Sequence, residues 1–400
     1  MRIALVSLHT SPVHTPGSGD AGGMNVVVAE TAAALVALGH EVDILTRRTH
    51  PAEAALRRMD SGALLRVIDA GEPDLAKAAL PSVAQEFGRA VAALPRFDVV
   101  HAHYWLSGLA AAPAAAAHGA ALAITLHTVG AQKNARLAPG DTPEPEARLR
   151  AERELVHRAI PIAVSSSEAA AISAGYDVPR DRIAVITPGV DTERFRPEAA
   201  TGFAATLGEP GATRDWLALL GRVQPLKGQD LAIRALAEAR RLLGEAHPLG
   251  LVLAGEATPE HAAYARGLAN LVAELDLVEH VRFLPGQARA GAAALLAGAR
   301  LTLMPSHSET FGLVALESAA SGTPVLAPAH TGFRESVADG VSGRLLPDRD
   351  PVRWGAAIAE LLGDPSGLAH LSRSARSHAL GHRWLDSAHA LLGRYASATR

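Results

Sequence analysis

The stretch 301–327, LTLMPSHSETFGLVALESAASGTPVLA, decides the fold class of this chain. Two short apolar runs, Leu301–Met304 and Pro324–Ala327, flank a longer segment with helical character. A strand, a helix and a second strand in this order are typical of a βαβ unit, which needs a parallel sheet. Glu309 lies in the loop after the first strand and Glu317 lies eight residues later, close to the same helical face. The stretch therefore predicts an α/β fold with acidic groups at a strand end.

The same alternation of short apolar runs and amphipathic segments covers most of the chain. The further strands that it predicts are Ile3–Leu8, Glu41–Thr46, Leu64–Ile68, Asp98–Ala102, Leu122–His127, Pro161–Ser165, Ile183–Thr187, Trp216–Leu220, Leu249–Ala254 and Val281–Leu284. This alternation is interrupted at Pro188–Pro197, and a stretch without clear periodicity continues to Arg214. We predict two α/β domains that face each other across a cleft and are joined near residues 190–214.

Composition narrows the classes of function. A chain of 400 residues exceeds the size of one hydrophobic core, and 48% hydrophobic residues allow each domain a core of its own. The net charge of −3 gives no electrostatic case for nucleic acid or an anionic membrane. The absence of cysteine excludes disulfides, thiolate metal sites and a cysteine nucleophile. The most apolar stretch, Leu106–Leu126, is mainly alanine and is broken by Pro113, and no signal peptide is recognisable. We expect a cytoplasmic protein.

A glycine-rich loop follows the first predicted strand. Gly17-Ser-Gly19-Asp-Ala-Gly22 matches the dinucleotide pattern G-x-G-x-x-G, but that pattern requires its first glycine directly after the strand. Here several residues intervene, which disfavours a nicotinamide cofactor. The loop instead feeds a helix that begins near Gly23, whose free amide groups suit a phosphate. A loop without a ligand is the alternative.

Charged residues in the second half point to a nucleotide sugar. Arg222 and Lys227 follow the strand Trp216–Leu220, and together they offer a forked donor and a mobile point charge for a diphosphate. Glu309 and Glu317 alone are also compatible with a glycosidase or with a solvated helix end. Cations for phosphates and acids for sugar hydroxyls, all in one domain, favour a nucleotide-sugar pocket.

These residues, with Gly322-Thr323-Pro324, resemble the family-four retaining glycosyltransferases of the GT-B fold. The resemblance spans nearly the whole chain. Motifs of the first half resemble the branch that transfers N-acetylglucosamine from UDP-N-acetylglucosamine to 1D-myo-inositol 3-phosphate, the first step of mycothiol biosynthesis. They are His9-Thr-Ser-Pro, Asp20-Ala-Gly-Gly-Met-Asn25, His103-Tyr-Trp-Leu-Ser-Gly108, His127-Thr128 and Asp141-Thr-Pro-Glu-Pro-Glu-Ala-Arg148.

The resemblance implies a role for each matching position. Arg222 and Lys227 would bind the donor diphosphate with the backbone of Gly23, Glu317 the ribose hydroxyls and Glu309 the donor sugar. The residues implied for the acceptor phosphate are Lys77, Tyr104, Thr128 and Arg148, and those implied for the inositol are His9, Asp20, Ala21, Gly22, Gly23, Met24 and Asn25.

The resemblance also implies retention of anomeric configuration. We expect same-face attack in which the departing diphosphate takes the acceptor proton, with catalysis by Arg222, Lys227 and Glu309. Asp20 or His127 acting as a base is the alternative. The expected domains are an acceptor-binding Rossmann-like domain (1–195), a nucleotide-sugar-binding Rossmann-like domain (196–383) and a C-terminal helix (384–400) that crosses back to the first.

No cofactor beyond the donor is expected; a magnesium ion and a homodimer are both compatible with the resemblance. The chain departs from the usual family pattern at Leu295-Leu-Ala-Gly-Ala299 and at His330-Thr-Gly332. Three alternatives stay open. They are a transferase of the sucrose-phosphate-synthase type, one of the phosphoinositol-mannosyl type, and a catalytically silent nucleotide-sugar binding module.

Overall fold

The computed structural model describes residues 1–135, 137, 142–208, 214–244 and 246–398, and contains two sheets. The first sheet has eight strands in the spatial order β3-β4-β2-β1-β5-β6-β7-β8. The strands are β1 (Arg2–Val6), β2 (Glu41–Arg47), β3 (Leu56–Arg58), β4 (Leu64–Ile68), β5 (Val99–His103), β6 (Ala121–Thr125), β7 (Ile160–Ala163) and β8 (Ala184–Val185). All neighbouring pairs are parallel except β3 with β4 at the edge.

The second sheet is wholly parallel and has six strands in the order β11-β10-β9-β12-β13-β14. They are β9 (Asp215–Leu220), β10 (Leu249–Ala254), β11 (Val281–Leu284), β12 (Leu301–Leu303), β13 (Val325–Pro328) and β14 (Gly343–Leu346). We refer to the first sheet with its helices as the N-lobe and to the second as the C-lobe. The prediction of an α/β fold is confirmed.

Helices cover the sheets, because parallel strands need crossover connections. Those of the N-lobe are α1 (Gly23–Ala37), α2 (Ala84–Ala92), α3 (Trp105–His118), α4 (Gly130–Ala135), α5 (Glu146–Arg158) and α6 (Ser166–Tyr176). The rest are α7 (Phe203–Leu207), α8 (Gln229–Leu243), α9 (Ala262–Glu274), α10 (Arg289–Gly298), α11 (Leu313–Ala320), α12 (Phe333–Ser336), α13 (Pro351–Gly363), α14 (Pro365–Ala379) and α15 (Trp384–Ala398). Short 3₁₀ helices lie at Lys77–Val83, Arg180–Arg182, Pro197–Gly202, Pro225–Lys227 and Pro259–His261.

Each predicted strand coincides with an observed one, with ends that differ by up to two residues. Two strands were not predicted. β3 is an exposed edge strand with a single apolar residue, and β14 is a four-residue strand that begins with Gly343, so neither carries a clear periodic signal. Of the predicted linker, residues 209–213 lie outside the described residues, as does Asp141 of the quoted acceptor motif. The domain boundaries at 195 and 383 stay predictions.

The chain passes between the lobes twice, and the two passages run side by side. The Val190 amide donates to the His382 carbonyl at 2.9 Å. Gly189 lies so close to the backbone of Trp384 that a β-carbon at this position would collide with it. After the second passage, α15 packs on the N-lobe, where Trp384 and Tyr395 belong to the same buried cluster as strand β1. Both lobes are therefore joined at one narrow region.

Tyr395 anchors the last helix to the first sheet. Its ring is fully buried, and its hydroxyl lies 2.7 Å from Nδ1 of His101 in β5. Replacement of Tyr395 with Phe leaves the buried His101 nitrogen without this partner, which should lower the free energy of unfolding by about 1–2 kcal/mol. Urea denaturation measures the change, and Ser397→Ala, at an exposed position of the same helix, is the control. A Tyr395→Phe variant as stable as the parent would contradict this account.

Candidate active site

The loops after β9 and β12 bring two of the predicted residues into direct contact. Lys227, at the end of the short helix Pro225–Lys227, places Nζ 2.5 Å from Oε2 of Glu309. The Glu309 amide donates to Oγ1 of Thr331 at 3.1 Å, which fixes the loop that carries the carboxylate. Both charged side chains are about one-fifth exposed, at 23% and 19%. A cation and an acid therefore lie side by side at the open edge of the C-lobe sheet.

Charges of both lobes meet at Asp20, in the glycine-rich loop. Lys77 places Nζ 2.8 Å from Oδ1 of Asp20, and Nη1 of Arg222 lies 4.0 Å from the same oxygen. Partial burial alone would raise the pKa of Asp20, but the neighbouring Lys77 lowers it overall. Asp20 is therefore an anion that links a cation of the N-lobe to one of the C-lobe.

The predicted acceptor residues Tyr104, Thr128 and Arg148 form one cluster. Arg148 is 2% exposed and donates to the Tyr104 hydroxyl at 3.0 Å and to the backbone carbonyl and Oγ1 of Thr128, each at 2.8 Å. It also pairs with Glu144 at 2.9 Å and with Glu152 at 2.5 Å. Burial alone would lower the pKa of Arg148, but Glu152 raises it, so the guanidinium stays charged.

His9 and Lys77 lie next to the Tyr104 ring of this cluster. The rings of His9 and Tyr104 have centroids 4.6 Å apart, and Lys77 Nζ lies 5.6 Å from the Tyr104 ring centroid. The structure thus brings His9, Lys77 and the Arg148 cluster to one wall of the cleft. Tyr104 itself has a φ of +76°, a sparsely populated backbone conformation for a residue with a side chain, in the turn between β5 and α3.

The glycine loop is shaped by Asn25. Its Oδ1 accepts from the Gly22 amide at 2.9 Å, and its Nδ2 donates to Oγ1 of Thr10 and to the Ser11 carbonyl. Asn25 and Ala21 are buried, at 1% and 2% exposure, whereas Gly23 is exposed at the first turn of α1. The predicted set 20–25 therefore divides into residues that hold the loop and an exposed helix start. Met24 is half-buried beside Gly23.

The same loop contacts the C-lobe. The Gly17 carbonyl accepts from the Glu256 amide at 2.9 Å, and the Ser18 hydroxyl donates to Oε2 of Glu256 at 2.8 Å. Glu256 follows β10, and sequence reasoning gave no signal for it because its partners are far away along the chain. The loop therefore closes one side of the cleft.

His127 lies in the strand-to-loop turn after β6 with a φ of +61°. Its Nε2 is 2.8 Å from Nδ1 of His103, and its carbonyl accepts from the Thr310 hydroxyl of the C-lobe at 2.6 Å. Burial lowers the pKa of His127 to about 3. The His127 ring is therefore neutral near pH 7, and its Nε2 already has the His103 ring as a hydrogen-bond partner.

Glu317 lies in α11 and has a buried side chain with 7% exposure. Its Oε1 accepts from Nη1 of Arg289, a residue that sequence reasoning did not single out. At the other edge of the site, Gly23 lies 3.4 Å from the Leu313 side chain, measured from the position that a β-carbon would take. Because Leu313 begins α11, the exposed start of α1 and the helix of Glu317 adjoin.

Among the described residues, no group of three or more histidine, aspartate or glutamate side chains is placed to hold a metal ion. None of the described helices has the length and apolar character that crossing a bilayer requires.

Comparison with known sequences places the chain in a family. The profile of the family 4 glycosyltransferases in conflict systems matches residues 12–391. The chain belongs to the family 4 glycosyltransferases. It is 40% identical to the D-inositol 3-phosphate glycosyltransferase of Mycolicibacterium paratuberculosis, over all of this chain and 91% of that protein. The enzyme of the same name from Thermobispora bispora is also 40% identical, over 99% of this chain and 95% of the relative.

Solved structures give the same fold. Sucrose-phosphate synthase of Thermosynechococcus elongatus superposes with a TM-score of 0.88 at 26% identity, covering 99% of this chain and 98% of that one. Anabaena HepE, solved with UDP and glucose, gives a TM-score of 0.77 at 19% identity, covering 99% of this glycosyltransferase and all of HepE. The predictions of the family and of the GT-B fold are confirmed.

The buried histidines predict how stability depends on pH. Burial lowers the pKa of His101 and of His127 to about 3, and that of His103 well below its ordinary value. Because the unfolded chain binds these protons near pH 6.5 and the folded chain does not, stability is full above pH 6.5 and falls as the pH drops. Each histidine contributes up to about 1.4 kcal/mol per pH unit.

Urea denaturation between pH 7.5 and 5.5 measures this slope. His127→Asn should reduce the slope by the share of one histidine, because asparagine tolerates a positive φ and does not titrate. A free energy of unfolding that stays constant over this range, or an unchanged slope in the variant, would contradict the assignment.

Proposed function

We propose that this glycosyltransferase transfers N-acetylglucosamine from UDP-N-acetylglucosamine to 1D-myo-inositol 3-phosphate with retention of configuration, the first step of mycothiol biosynthesis. The observation that carries the proposal is the convergence of cations from both lobes on one cleft. Lys77, Arg222 and Lys227 all pair with acids of that cleft. Full-length relatives at 40% identity that are named for D-inositol 3-phosphate support the choice of acceptor.

On the donor side, Arg222 and Lys227 would bind the diphosphate. Both lie in the loop after β9, and the exposed start of α1 at Gly23 adds backbone amides on the opposite side of the cleft. Glu309, held beside Lys227, would accept hydrogen bonds from sugar hydroxyls, and Glu317 from the ribose. HepE, which shares the fold, was solved with UDP-glucose, which supports a nucleotide sugar as donor.

On the acceptor side, Lys77 is the most available cation. Its side chain is 44% exposed, and its described partner is Asp20, which a phosphate could replace. Arg148 is buried and donates to Tyr104 and Thr128, so its contribution would be to keep these hydroxyls and the local positive charge in place. His9 and Asp20 would lie against the inositol ring. The loop of Ala21, Gly22, Met24 and Asn25 would shape that surface.

The chemistry would depend on positioning and on charge. The acceptor hydroxyl attacks the anomeric carbon on the face that the diphosphate leaves, through an oxocarbenium-like state, and the leaving phosphate oxygen takes the proton. Arg222 and Lys227 stabilise the negative charge that develops on the leaving group. Neither Asp20, whose pKa lies below its ordinary value, nor His127, whose pKa is about 3, is suited to serve as the base at neutral pH.

We expect Arg222→Ala and Lys227→Ala each to reduce turnover by about 10²–10³-fold, the scale for loss of one charge-stabilising donor. The measurement is UDP release with UDP-N-acetylglucosamine and inositol 3-phosphate, with the product's anomeric configuration read by NMR. Arg241→Ala, which removes an exposed cation from α8, is the matched control. Full turnover in both variants, or transfer only to a different acceptor such as a sugar phosphate, would overturn the proposal. Sugar phosphates are the comparison acceptors because the structure resembles that of sucrose-phosphate synthase.

Lys77→Ala separates acceptor from donor recognition. If Lys77 binds the acceptor phosphate, the KM for inositol 3-phosphate should rise about 10- to 100-fold, the range for a charge-assisted hydrogen bond, while the KM for the donor changes little. Arg89→Ala, at an exposed position of α2, is the control. Equal increases in both KM values would show that Lys77 acts on the shape of the cleft instead.

A further inference from the structure

The positive charge of Arg289 is unfavourable at its position in the secondary structure. It is the first residue of α10, and a cation at a helix N-terminus faces the positive end of the helix dipole. The first turn of α10 also contains no acidic residue that would offset it. A residue that breaks a local rule in this way needs a compensating interaction elsewhere in the fold.

That interaction is with Glu317. Nη1 of Arg289 donates to Oε1 of Glu317, and the two side chains are 22% and 7% exposed. Burial alone would lower the pKa of Arg289, but Glu317 raises it, so the guanidinium is charged. Within the described part of the chain, Oε2 of Glu317 has no hydrogen-bond partner. The carboxylate is thus held by one oxygen while the other is left to accept.

The guanidinium of Arg289 is itself fixed on a further side. It lies 4.6 Å from the centroid of the Phe195 ring, which is fully buried beside the passage between the lobes. Its Nη2 is 3.8 Å from Oε1 of Glu30 in α1 of the N-lobe. Arg289 therefore joins the Glu317 carboxylate to both lobes and has little freedom to turn away from it.

We propose that Arg289 is a positioning residue for the donor: it orients Glu317 so that the second carboxylate oxygen accepts from the ribose hydroxyls. This inference rests on the proposed function, which assigns the ribose to Glu317. It also implies that the C-lobe recognises the ribose through the Arg289–Glu317 pair. Contacts of the guanidinium with Glu30 and Phe195 would keep this pair aligned. The donor class that this pair selects is a ribonucleotide sugar with free 2′ and 3′ hydroxyls.

The test compares two ligands that differ only in those hydroxyls, UDP and its 2′,3′-dideoxy analogue, by titration calorimetry on the full chain. Arg289→Met keeps an unbranched apolar side chain at this position and removes the guanidinium that lies over the Phe195 ring. We expect it to weaken UDP binding by about 10-fold or more and the dideoxy analogue by less than about 2-fold. Arg289→Lys, which keeps the charge but not the fork, should lie between the two.

Two further single variants and one double variant complete the experiment. Arg300→Met removes a cation between α10 and β12, where Arg300 pairs with Asp215, and should leave both affinities unchanged. Glu317→Gln should remove the preference for UDP, and combining it with Arg289→Met should add little, because both act on the same contact. Thermal melting of each variant checks that the fold is retained, and Arg289→Lys provides the comparison if the Met variant melts early.

The outcomes separate the two proposals. Equal weakening of both ligands by Arg289→Met would mean that Arg289 only supports the fold, and unchanged affinities for both ligands would mean that it does not orient Glu317; either result overturns the inference alone. If the parent chain fails to bind UDP, or binds both ligands equally well, the assignment of Glu317 to the ribose fails, and this inference fails with it.

Discussion

The site depends on the pairing of cations and carboxylates in the loops and helix ends between the two lobes. Lys77 with Asp20, Lys227 with Glu309 and Arg289 with Glu317 are three such pairs, and each cation has an acid as its nearest charged partner. Charged groups in a partly buried cleft are costly unless they are paired, because burial removes their water. The pairs hold these side chains in fixed orientations, so that the phosphates and hydroxyls of the proposed substrates would meet groups that are already aligned.

Parallel sheets explain why these pairs occur where they do. In a parallel sheet, every strand delivers its following loop to the same edge, so residues that are distant in sequence meet there. The side-by-side passages at Val190 and His382, together with α15 on the N-lobe, bring the two edges face to face. The contacts Ser18 to Glu256 and Thr310 to His127 then connect the loops directly. Cleft geometry is therefore set by the connection between the lobes as much as by the residues that line it.

The sequence predicts the strands well because each is a local apolar run with a clear boundary. β3 and β14 are not predicted, because an exposed edge strand and a short strand that begins with glycine show no clear alternation of apolar and polar residues. The family motifs predict Lys227 and Glu309, which the structure joins. Motifs alone do not distinguish a residue that faces a ligand from one that holds the loop behind it, as Asn25 and Arg148 do with their side chains. Arg289 and Glu256 carry no signal at all, since their partners are set by the tertiary fold.

The protonation states of the site bear on where the acceptor proton goes. A general base works best when its pKa lies near the operating pH. Lys77 and Arg222 hold the pKa of Asp20 below its ordinary value, and burial lowers the pKa of His127 to about 3. The His127 ring is also hydrogen-bonded to His103. Both groups are thus weak proton acceptors at neutral pH. Arg222, one of the two cations that lower the pKa of Asp20, is also a residue that would contact the leaving diphosphate in the proposed function. A phosphate oxygen that gains negative charge as the bond breaks becomes the stronger acceptor, and we infer that the cleft is built to let the substrate supply the base.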